Sequence, residues 1–75
     1  MKTLLTHEQR QHVFTLFHRG YACLQVGKFG AHRDEDALHS AIIYFIACLE
    51  WATPDSDPLL WAEVRAVLNE AKQCA

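Results

Sequence analysis

His7-Glu8 followed by His12 comes nearest to a catalytic signature in this 75-residue chain. A zinc pair on a helix needs histidines four apart, so that both nitrogens leave one face with a glutamate beside them as general base. Here they are five apart and splay, and Glu8 with His12 reads as a solvated pair one turn apart. Asp36 and His39 are three apart, with His32 in reach from a preceding loop, and a carboxylate–histidine pair in a helical bundle can hold a metal. His32, Asp36 and His39 are therefore the metal candidates, but no second motif supplies further ligands, so the site would need a second copy and no cofactor is expected. Cys23, Cys48 and Cys74 show no CxxC spacing. A nucleophilic thiol needs a base beside it in a cleft, and Cys23 and Cys48 fall on or beside apolar stripes, as buried thiols do. The glycines do not follow a strand, so no phosphate-cradling loop is implied. The chain is expected not to be an enzyme.

Helices must position whatever these residues do. Thr6 and Gln9 fit a capping box, in which hydroxyl and amide satisfy two orphan backbone donors reciprocally. Val13, Phe17, Gly20 and Leu24 then recur at three and four, widened by Phe14, Leu16 and Tyr21, which predicts an amphipathic helix. Gly27 and Gly30 are expected to end it through left-handed backbone positions. Asp34 or Asp36 is the next N-cap. The second helix carries a stripe of Leu38, Ala41, Ile42, Phe45, Leu49 and Ala52, with Ile43, Tyr44, Ala47, Cys48 and Trp51 around it. Being apolar nearly all round, it must be covered on more than one side, by the third helix or by another molecule. Asp57 and Pro58 start that third helix, whose narrow stripe is Leu60, Val64, Val67, Leu68 and Ala71. The expected fold is all-α, one domain over 1–75, with helices at about 6–28, 36–52 and 58–73.

A chain of this length sits near the lower limit for a single core, but 51% apolar residues suffice for one. No run of 18 apolar residues offers a membrane span, and the first six residues do not read as a signal peptide. An odd number of cysteines points to reduced thiols and a cytoplasmic location. Residues 1–33 carry five basic side chains and one acid, a balance of +4, whereas residues 34–75 carry two basic and eight acids, a balance of −6. Such polarity suits an acidic partner or head-to-tail association. Three cations spread along the first helix do not form a phosphate-tracking stripe, so no nucleic-acid partner is expected.

Gly20 as the small residue, Gly27 and Phe29 at the turn, and Ala41, Phe45, Cys48 and Leu49 on the second helix together resemble a tetratricopeptide (TPR-like) hairpin, with Trp61-Ala62 similar to the start of a further repeat. The likeness covers about residues 14–68. Three-helix domains of the microtubule-interacting-and-transport type and the small helical chaperones of type III secretion are similar in size. The resemblance implies a ligand lying along the first helix, on Phe14, Phe17, Tyr21 and Leu24, which the apolar pattern alone places in the core. Tyr44 and Trp51, seven apart, with Ala47 between them, are expected on the open side of the second helix, where Tyr and Trp act as interface anchors. The functional expectation is a non-catalytic interaction module, adaptor or chaperone-like, that buries an apolar face of its second helix against a partner helix or its own copy as a homodimer. The alternatives are a histidine-rich metal-responsive dimer and a permanent subunit of a larger complex.

Overall fold

The capping box forms: Gln9 N donates to Thr6 Oγ1 at 3.1 Å and Thr6 N to Gln9 Oε1 at 2.9 Å. It starts α1 (His7–Phe29), the first of three helices in a computed structural model that describes residues 4–30 and 34–74. Asp34 caps α2 (Glu35–Leu49) by accepting from Ala37 N at 3.1 Å, so the cap is the earlier of the two aspartates. Asp57 Oδ1 accepts from Leu60 N at 3.1 Å, and Pro58, with no N–H to waste, opens α3 (Pro58–Cys74). The all-α expectation holds, and no strand occurs among the described residues.

The end of α1 differs from the expectation. No described residue has a positive φ. Gly30 is extended at φ −65° and ψ 163°, and its N–H reaches Val26 O at 3.0 Å. Gly27 is not a turn residue; it lies buried inside α1, where a methyl group would come 2.6 Å from Leu38 Cγ and 3.1 Å from Asp34 O. At Gly20 a methyl would meet Phe45 Cε1 at 2.8 Å and Tyr44 Cβ at 3.0 Å. Both glycines, one heptad apart on one face, let α1 and α2 approach closely. Gly20 thus holds the small position expected where the paired helices touch.

α2 stops at Leu49, three residues before the expected Ala52. Glu50 N bonds to Ala47 O and Trp51 N to Cys48 O, three residues back, so the last turn tightens. Pro54 bars helical backbone at Thr53, beyond this stop. A local knot replaces the helix: buried Ser56 Oγ accepts from Thr53 N at 2.9 Å and donates to Trp51 O at 2.8 Å.

The core is Val13 and Leu24 of α1, Leu38, Ala41, Phe45 and Cys48 of α2 with Ala52, and Leu60, Val64, Leu68 and Ala71 of α3. These are mostly the stripe residues read from the periodicity. α2 packs against both other helices, as its all-round apolar character requires, while α1 and α3 touch each other least. Arg10 meets Asp57 at 3.6 Å at one end, and Lys28 pairs with Glu70 at the other. α1 and α3 therefore run in the same direction, with α2 antiparallel between them. The molecule measures 46 × 21 × 14 Å with a radius of gyration of 12.8 Å. A compact chain of this length would have about 11.4 Å, so the molecule is elongated.

Candidate partner-binding surface

Arg10, Phe14, Phe17, Tyr21, Leu24 and Lys28 follow one another at four, three, four, three and four along α1, which puts them on one side of the helix. That side turns toward α3, since Arg10 and Lys28 both pair with it. Leu24 is buried, and Phe17 packs its ring on Phe45 at 5.8 Å between centroids. These two belong to the core, as the apolar pattern implies. Phe14 and Tyr21 do not: they are 41% and 43% exposed. Tyr21 stacks on Phe17 with centroids 6.3 Å apart and planes at 13°, so the core extends outward as an aromatic ledge. On α3, Glu63 and Ala66 are exposed on the side that carries Glu70, and Leu59 is exposed at its start. Ion pairs thus tie α1 to α3 at each end, and Phe14, Tyr21, Glu63 and Ala66 are exposed along the stretch between. A hydrogen bond from Lys28 to Glu70, and the carboxylate's charge, hold the ammonium above its ordinary value of 10.5.

Tyr44, Ala47 and Trp51 lie elsewhere from expectation. Tyr44 is half-buried, and α1 crosses its Cβ at Gly20. Ala47 is half-buried. Trp51, 38% exposed, falls beyond the end of α2 and takes the edge of His12 at 6.0 Å and 81°. Its outer edge lines an open depression of about 360 Å³, shared with Leu4, Leu5 and Ser56. The three positions form a flank of the α1–α2 hairpin, not the face that remains open. That face carries Ile43 and Ile46, 66% and 49% exposed, with Asp36, His39 and Glu50. Two glycines at heptad spacing on α1 signal a face of close approach, but not which side of α2 it meets.

Among the described residues no group of three or more His, Cys, Asp or Glu is placed to hold a metal. Asp36 and His39 are exposed on the outer side of α2, and His32 lies outside the described residues. Of the thiols, Cys48 is buried and donates to Val13 O at 3.6 Å; burial pushes it up from 9.0 to about 11. Cys74 is half-buried near Lys28. No helix is long and apolar enough to cross a membrane among the described residues. No protein-family model matches this chain, and neither a curated protein nor a solved structure is similar to it.

Proposed function

We propose that this chain is a non-catalytic, TPR-like protein-interaction module that holds an amphipathic helical segment of another protein along the exposed stretch between α1 and α3. The reading rests on one observation: Phe14 and Tyr21 stay two-fifths exposed two turns apart on the same face of α1, with Tyr21 stacked on the half-buried ring of Phe17 between them. A partner helix would seat apolar residues at i, i+3, i+4 and i+7 along this ledge. Exposed Glu63 on α3 favours a segment that brings a basic side chain beside its apolar stripe. An aromatic ring buries roughly 150–250 Å² in all, so covering two-fifths of each removes about 60–100 Å² from water. At about 25 cal/mol per Å² this gives roughly 1.5–2.5 kcal/mol per ring before association costs. Such a site suits transient capture, an adaptor's or chaperone's task, better than permanent assembly. Three free thiols accord with a cytoplasmic setting.

The test is to pan a displayed library of amphipathic helical peptides against the protein and map binders by chemical-shift perturbation. Binding centred on Phe14, Phe17 and Tyr21, weakened tenfold or more in Phe14→Ala/Tyr21→Ala with an unchanged melting curve, supports the proposal. Perturbations confined to other faces, or no peptide bound at millimolar concentration, would refute it.

A further inference from the structure

The exposed residues of α2 and its cap are Glu35, Asp36, His39, Ile43, Ile46 and Glu50. From Asp36 onward they are spaced three, four, three and four. That is the seam of a coiled coil, in which each side chain fits between those of a facing helix. Ile42 and Leu49, half-buried, border the seam on one side and broaden its apolar area. Small half-buried residues, Ser40 and Ala47, border it on the other and let a second helix come close. Nothing between α1 and α3 bears on this surface, which faces away from both helices.

We infer that this seam pairs with the same seam of a second copy, antiparallel, about a two-fold axis passing between Ile43 and Ile46. The charges select both the occupant and the direction. Under that axis Ile43 meets Ile46 of the second copy and Ile46 meets its Ile43, so four isoleucines close the centre. His39 falls opposite Glu50 of the second copy, and the reciprocal pair forms by symmetry, as an isologous contact requires. A histidine donates a hydrogen bond to a carboxylate whether or not it is charged. In a parallel pairing Asp36 would face Asp36 and Glu50 would face Glu50, placing like charges in contact at both ends of the seam. The seam is thus self-complementary in one direction only.

The 15 residues of α2 span about 22 Å. A pair of such helices stays at or below the lower end of stable interfaces, so the dimer is reversible, with dissociation on the order of 10–100 µM. Sedimentation equilibrium between about 10 µM and 1 mM reads it directly. The wild type is expected to pass from monomer to dimer over that range. Ile43→Glu should stay monomeric throughout, with an unchanged thermal melt because residue 43 is exposed. His39→Glu sets two carboxylates against each other and should weaken association at least tenfold, and His39→Glu/Glu50→Lys should restore it to within about threefold. A wild type monomeric at 1 mM would overturn the proposal and leave the face to some other protein. Dimerisation that survives Ile43→Glu, or a double swap that fails to restore it, would overturn the seam or its direction. Phe14→Ala/Tyr21→Ala should leave the dimer unchanged, so this inference and the partner-helix reading fail separately.

Discussion

Replacing Gly27 with alanine tests the geometry that sets the position of α1 on α2. Two effects oppose each other. Inside a helix alanine is favoured over glycine by about 0.5–1 kcal/mol, because glycine loses more backbone freedom on folding. Against this, the added methyl lies 2.6 Å from Leu38 Cγ and 2.8 Å from its Cδ2, and Leu38 is fully buried. The close atom is the branch point of the side chain, so rotating its tip does not relieve the overlap, and Asp34 O closes the other side at 3.1 Å. Overpacking of this kind costs about 1–3 kcal/mol. The net loss is about 1–2 kcal/mol. For 75 residues the unfolding entropy is about 160 cal/mol/K, which converts that loss to a fall of roughly 6–12 °C in Tm. Circular-dichroism melts of Gly27→Ala, with urea titrations to verify an unchanged m-value, read it out. Gly30→Ala is the control: its backbone is extended, a conformation alanine adopts freely, so that variant should melt at or slightly above the wild type. In a Leu38→Ala background, Gly27→Ala should turn neutral or stabilising by up to about 1 kcal/mol. A Gly27→Ala protein that melts within about 2 °C of the wild type, or one as destabilised with Leu38 removed, would refute the close-approach account.

Ser56→Ala should cost about 1–2 kcal/mol by urea titration, because it strips Thr53 N–H of its acceptor and Trp51 C=O of its donor in one step; a loss under about 0.3 kcal/mol would mean that water replaces the hydroxyl. For Cys48 the folded thiol sits above its ordinary 9.0, at about 11, because burial disfavours the thiolate. Its contribution to stability is therefore whole below pH 9 and is lost as pH rises from 9 to about 11, where the unfolded chain ionises first. Tm measured across pH 8–11 should fall more steeply for the wild type than for Cys48→Ala, and parallel slopes would contradict a buried thiol.

Where helices begin was legible because the chemistry is local: Thr6 with Gln9, and Asp57 with Pro58, each decide a start within four residues. The core stripes were legible for the same reason, since periodicity at three and four identifies a face without knowing its partner. What covers that face is a different matter. A glycine that permits a left-handed turn and a glycine that permits close contact are the same letter, so Gly27 reads as punctuation in the chain although it is a packing position. Its distance from Gly20, one heptad, is the clue that both serve one face. Continuing a helical wheel beyond Leu49 misplaces Trp51, because the helix has already ended and the Ser56 hydroxyl has taken Trp51 O. Ile43 and Ile46 look like the other apolar residues around α2, and only the placement of α1 and α3 on its remaining sides singles them out. Phe14 and Tyr21 stay exposed because α1 and α3 make little contact with each other, and nothing in the chain's pattern specifies that spacing.

The uneven packing, in which α2 makes most of the contacts between helices, also sets how the protein comes apart. Most of the packing joins helices adjacent along the chain, so folding needs few long loop closures, a property of fast-folding helical proteins. The contacts of Gly20 and Gly27 are all to α2 and Asp34, so α3 can swing away at the Thr53–Asp57 connection without disturbing them, giving up its smaller contact with α1, the Lys28–Glu70 pair included. Its release uncovers Leu60, Val64 and Leu68 together with the α2 side they covered. The lowest-energy opening is therefore the loss of one terminal helix from an intact hairpin, a partly unfolded state whose fresh apolar surface is confined to one side.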